Sequence, residues 1–202
     1  MCWTRLRREL SGILEDAENG LPVLVREVLC GLLEQLREAD KRILAYDRQI
    51  RALAEASELA RRLMPVESVG PQTATALVAA VGDPHLFKNG GGIAAWLGIT
   101  PRQHSSGDKE RLGQLTCRGD GDLRMLLVHG ARACLRVVDK KTDAMSDWAR
   151  RPKQRRHGNV DAVALAAKHA RIAWAILAHE TEYRPAGLQI AVAWRRQGIT
   201  HR

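Results

Sequence analysis

The sequence predicts a mainly α-helical protein: a long coiled-coil helical arm, then a compact helical domain containing a helix-hairpin-helix-like element. Three observations carry this expectation. From Leu29, apolar residues recur at Leu32, Leu36, Ala39, Ile43, Tyr46, Ile50 and Leu53, alternately three and four positions apart, as the a and d sites of a heptad do. Beyond Pro65 the chain breaks into short Ala/Leu-rich segments divided by glycine and proline turns. Between two such segments, Pro65-Val-Glu-Ser-Val-Gly-Pro71 has the form of a hairpin joining two helices.

In chain order, Arg5 to Asn19 places Leu6, Leu10, Ile13, Leu14 and Ala17 on one helical stripe, and Asn19-Gly20 with Pro22 ends it. The heptad run follows and fades at Ser57 and Ala60; Glu34, Arg37, Lys41, Arg48 and Arg51 take outward positions. Pro65 marks the boundary between an arm of residues 1–64 and a domain of residues 65–183. Pro71 opens a helix that Gly82 closes, and a second runs from Gly92 to Leu97, closed by Gly98. Asp122 to Val138 reads as a long amphipathic helix, with Leu123, Leu127, Ala131, Cys134 and Val138 on one side. A helix around Met145 to Ala149 leads into a basic run, and Val160 to Leu177 closes the domain. Residues 184–202 have no clear period and read as a weakly structured tail.

Of 202 residues, 32 are Lys or Arg and 23 Asp or Glu, giving a net charge of +9. Residues 1–64 balance 11 cations with 11 anions, so the whole excess, 21 against 12, falls in residues 65–202. A basic domain on a neutral arm suits a phosphate-bearing partner, because each Lys or Arg placed on a phosphate releases condensed counterions. Four widely spaced cysteines without a C-x-x-C pair, and no secretory segment or long apolar run, point to a reduced cytoplasmic protein with no membrane partner. The scattered histidines lack metal-ligand spacing, so no metal site is expected. Trp96, Trp148 and Trp174 sit in apolar helical contexts and read as core.

Three segments hold residue types suited to nucleic-acid chemistry. In the first hairpin, Gly70 and the helix start behind it aim backbone N–H groups outward, an anion site; the bland reading is a Val-Gly turn that packs two helices. Glu67 and Ser68 stand where such hairpins carry proline and glycine, and the added carboxylate opposes a phosphate. The second segment, Thr100-Pro-Arg-Gln-His-Ser-Ser-Gly-Asp-Lys-Glu-Arg111, combines Ser105 and Ser106 with Arg102, Lys109, Arg111 and nearby Arg118. A serine that attacks phosphorus needs a proton acceptor and cations on the phosphate oxygens, and these residues supply the cations. The third is the cluster Arg150, Arg151, Lys153, Arg155 and Arg156, and Arg124 on the amphipathic Asp122–Val138 helix is a further phosphate-facing candidate.

Together, Val69-Gly-Pro-Gln-Thr-Ala-Thr-Ala-Leu-Val-Ala-Ala-Val-Gly-Asp83, Phe87-Lys-Asn89, Ala94-Ala-Trp-Leu-Gly98, Pro101-Arg-Gln-His-Ser-Ser-Gly107 and Leu126-Leu-Val-His-Gly-Ala-Arg-Ala133 resemble one family. It is the insertion-sequence transposase family that pairs a DEDD nuclease-like domain with a serine domain and is guided by a bridge RNA. The likeness is collinear from about Ile13 to Pro185. It implies an arm that mediates assembly, as a homo-oligomer or with a full-length transposase, and a domain whose serine becomes covalently joined to DNA. Ser106 matches that serine best and Ser105 is the alternative.

The resemblance also places Mg2+ in an amino-terminal domain with four acidic ligands. No such domain precedes residue 1 in this sequence, so no cofactor is expected on the chain itself. Asp108 replaces a family glycine beside the serine, and Cys117 stands where a lysine is usual. The expectation is therefore a nucleoid-associated DNA-binding chain without full catalysis. Two other readings are a free-standing helix-hairpin-helix DNA-binding module and a coiled-coil regulator of a full-length transposase.

Overall fold

The computed structural model describes residues 3–103, 112–141, 144–153 and 158–183. It is mainly helical, with eight α-helices and one two-stranded sheet among the described residues. The expected tail, residues 184–202, lies outside them. Contacts divide the chain into two compact units at the Gln49–Ile50 step.

The first unit holds α1 (Trp3–Glu15) and most of α2 (Val23–Ala56). Helix α1 stops four residues before the expected Asn19, because the linker supplies its own hydrogen-bond partners. Asp16 accepts from the Glu18 N–H, and the Asn19 amide donates to the Ile13 carbonyl. Arg26 reaches back from α2 to the Leu14 carbonyl at 2.6 Å and to Asn19 Oδ1 at 2.8 Å. Carbonyls left open at the end of α1 are thus capped by side chains of the following segment. Helix α2 is a single helix of 34 residues in which Leu33 is buried, whereas Ile43, Tyr46 and Leu53 of the heptad run are 56, 56 and 63% exposed.

The second unit begins with the end of α2, where Ser57 breaks the helix and caps the next one by accepting from the Ala60 N–H. Helix α3 (Glu58–Leu63) is followed by a turn over residues 64–70 and by α4 (Pro71–Val81), which opens on proline as the sequence predicts. A 3-10 turn, Pro84–Leu86, leads to α5 (Gly90–Trp96), capped by Asn89. Strands β1 (Pro101–Gln103) and β2 (Leu112–Leu115) pair antiparallel. Helix α6 (Gly121–Val137) is capped by Asp120, which accepts from the Asp122 and Leu123 N–H groups; a 3-10 turn, Val138–Lys140, extends it. Helices α7 (Ala144–Lys153) and α8 (Gly158–His179) complete the unit.

Helix α8 is the centre of this unit. Its alanines at 162, 166, 167, 170, 173 and 178 are buried with Leu165, Trp174, Ile176 and Leu177, and it packs on α5 and α6. Small side chains on one helix let its neighbours approach closely, and Leu77, Ile93, Leu97, Leu123 and Leu127 fill the space around it. Burial of each such leucine or isoleucine contributes about 1.5–3 kcal/mol before chain entropy is counted. Trp174 lies in this core, and Trp96 and Trp148 pack partly buried against it.

Candidate nucleic-acid interface

In the sequence, the serine-bearing segment falls between two paired strands. Pro101 faces Leu115 and Gln103 faces Leu112, with an irregularity between the two pairs. Beyond the strands the ladder continues, from the Thr116 N–H to the Thr100 carbonyl at 3.1 Å and from the Cys117 N–H to the Gly98 carbonyl at 3.2 Å. Ser105, Ser106, Lys109 and Arg111 lie between the strands, outside the described residues. Arg102 on β1 and Arg118 just after β2 are exposed near the hairpin base.

The base is locked against the helices by backbone contact. A Cβ at Gly98 would lie 2.1 Å from the Arg118 carbonyl oxygen, and one at Gly119 would lie 1.7 Å from that of Trp96. Both glycines also have positive φ, +69° and +96°, so only a residue without Cβ fits either place. Cys117 takes φ of 49° between them, a conformation rare for a side-chain-bearing residue. Arg124, expected on a phosphate, donates from Nη1 to the Leu97 carbonyl at 3.0 Å and so ties the first turn of α6 to the end of α5.

The hairpin turn over residues 64–70 is fastened from three sides. Val66 and Val69 are buried, and their N–H groups bond to the Leu63 and Val66 carbonyls. Helix α6 presses on the turn at Gly130, where a Cβ would sit 2.2 Å from the Ser68 carbonyl oxygen. Cys134 Sγ donates to the Glu67 carbonyl at 3.1 Å, and Lys141 pairs with the Glu67 carboxylate at 3.2 Å. The carboxylate that the sequence marks as opposing a phosphate is therefore already partnered by a cation. Gly70 caps α4 with open space around it and is exposed.

The third fastening joins Ser68 to His169. Ser68 Oγ and His169 Nδ1 share a short hydrogen bond, with both residues buried. Burial, and then the nearby Lys168 charge, lower the His169 pKa from 6.5 to about 4, so the ring is neutral. A serine beside a neutral imidazole has the form of an activated nucleophile. At 6 and 0% exposure, however, neither group meets a substrate, and the pair serves to hold the turn on α8. Lys168 lies 3.8 Å above the Trp148 ring, and burial followed by the charge of Arg171 lowers its pKa to about 8.

Arg150 belongs to α7, which runs further into the basic cluster than the sequence suggests. Its guanidinium bonds the Lys141 carbonyl and pairs with Asp147 at 3.1 Å. Arg151 and Lys153 occupy the last turn of the same helix, whereas Arg155 and Arg156 lie outside the described residues. Arg102 on β1 and Arg118 after β2 are thus left exposed, while Arg124 and Arg150 engage carbonyls of their own fold. Sequence reasoning missed the Ser68–His169 pair, whose members are 101 positions apart and belong to no local motif. Among the described residues no group of three or more His, Cys, Asp or Glu side chains is placed to hold a metal ion.

By sequence, the chain is similar to transposases. The chain is 48% identical to a "Probable family 20 transposase" of Pseudomonas aeruginosa over 87% of its own length and 52% of that protein. It is 42% identical to the "Transposase for insertion sequence element IS1111A" of Coxiella burnetii, over 89% of this chain and 50% of the other. More particularly, residues 60–146 match the family described as "Transposase IS116/IS110/IS902 family", and the chain carries a transposase domain of that family. The matched segment runs from α3 to the start of α7 and contains the whole hairpin. The chain spans about half the length of these two relatives. No helix among the described residues is long and apolar enough to cross a membrane.

Proposed function

We propose that this chain is a DNA-binding part of a transposase acting in DNA transposition and recombination, with residues 65–183 as its serine domain. The observation that carries this reading is the family match over residues 60–146, which takes in Ser105, Ser106 and the arginines flanking their loop. In this reading Ser106 Oγ bonds to a DNA phosphorus as the bond to one sugar oxygen breaks, and the departing oxygen takes up a proton. Ser105 is the alternative nucleophile. Arg102 and Arg118 hold phosphate oxygens, and Lys109, Arg111, Arg151, Lys153, Arg155 and Arg156 extend the cationic surface. Gly70 and the start of α4 offer a further phosphate contact. A guide RNA is a second polyanion that the same surface suits.

The exposed heptad residues Ile43, Tyr46 and Leu53 favour self-association through α2 or pairing with a longer transposase. Binding of labelled duplex DNA by the whole chain, with Arg102→Ala and Arg118→Ala variants, tests the reading. Each substitution is expected to weaken binding and to lower the salt slope by about 1. Binding that neither substitution changes removes the hairpin base from the interface.

A further inference from the structure

We propose that Leu86 is a wedge that enters between base steps of bound duplex DNA, an inference that rests on the DNA-binding reading above. Leu86 is 79% exposed, more than any other large apolar side chain among the described residues. A solitary exposed leucine is ordinary on a protein surface. Its support sets this one apart.

The turn that carries it is braced on every side. Asp83 Oδ1 accepts from the His85 N–H at 2.9 Å, and the Phe87 N–H bonds the Pro84 carbonyl at 3.2 Å. Trp174 of the core helix α8 donates from Nε1 to that same carbonyl at 2.9 Å. On the far side the Phe87 ring packs on Trp96, centroids 5.5 Å apart, and Asn89 fixes the start of α5 by accepting from the Gly92 N–H. The backbone that carries this leucine is thus tied to the core helix, and its side chain is exposed.

The surroundings of Leu86 match a polyanion. His85 and Lys88 flank it in sequence and are exposed. Arg171, also exposed, packs its backbone against Gly90, where a Cβ would lie 3.1 Å from the Arg171 Cα. Asp83, three positions before Leu86, spends a carboxylate oxygen on capping its own turn. An apolar tip on a stiff support with cations beside it is what proteins use to part stacked bases while holding the phosphates on either side.

The test uses the full chain and a duplex with 2-aminopurine at a flexible pyrimidine–purine step, whose fluorescence rises when the base unstacks. The parent chain is expected to raise the signal. Leu86→Ala is expected to abolish the rise and weaken binding about tenfold with an unchanged salt slope, because no charge is lost. Leu86→Met should restore the rise, and Lys88→Ala should lower the salt slope while keeping it. A parent that binds without any rise, or a Leu86→Ala variant that matches the parent, overturns the wedge and leaves DNA binding standing. A parent that does not bind duplex at all overturns both.

Discussion

Lowering the pH isolates the contribution of the buried Ser68–His169 pair. An unfolded histidine titrates near 6.5, and in the fold this ring resists protonation down to about 4. Below pH 6.5 the unfolded chain therefore takes up a proton that the folded chain refuses. Stability is complete above that pH, falls as the pH drops toward 4, and levels off below it, where both states are protonated. A gap from 6.5 to about 4, at about 1.4 kcal/mol per unit, corresponds to about 3 kcal/mol. That is a large share of the roughly 5–15 kcal/mol by which a domain is stable. Urea unfolding followed by circular dichroism between pH 7 and pH 4 measures the loss, and His169→Gln serves as reference because it keeps a polar partner for Ser68 without titrating. The parent should lose about 3 kcal/mol more than the variant across this window. Parallel losses in the two proteins would show that His169 is not held neutral by the fold.

Three further outcomes follow from particular contacts. Gly130→Ala puts a methyl group 2.2 Å from the Ser68 carbonyl oxygen, so α6 and the turn must separate; a loss of about 1–3 kcal/mol is expected in thermal unfolding, and an unchanged melting temperature would contradict the close approach. Arg124→Met removes the bond to the Leu97 carbonyl and is expected to cost about 1–2 kcal/mol of stability while leaving the salt slope of DNA binding as it was; a slope reduced by about 1 would place Arg124 on a phosphate instead. Trp174→Phe removes the donor to the Pro84 carbonyl and should destabilise by about 1 kcal/mol, with faster proteolysis at the Leu86 turn; equal cleavage rates would show that the turn does not depend on this brace.

The helices were legible in the sequence because their signals are local. Pro71 and Gly82 bound α4 as expected, and the observed ends of α5, α6 and α8 fall within two residues of the expected ones. The two strands were not legible. They are three and four residues long, too short for alternation to show, and the ladder that extends them reaches back to the Thr100 and Gly98 carbonyls. Where α7 ends was missed for a related reason, since the run beginning Arg150-Arg-Pro-Lys153 carries none of the apolar periodicity by which a helix is recognised. The cationic residue types of the site could be read directly, but their present partners could not. That Arg124 meets a carbonyl, that Arg150 meets Asp147 and a carbonyl, and that Lys141 answers Glu67 are consequences of tertiary packing.

The salt dependence of duplex binding tests most directly the proposal that the chain binds DNA through its basic second unit. Fluorescence anisotropy of a labelled duplex with the whole chain, titrated from low to physiological salt, yields the slope of log affinity against log salt. Several phosphate contacts predict a steep negative slope, about −0.9 per phosphate neutralised. A slope near zero, or no binding even at the lowest salt, would contradict the account.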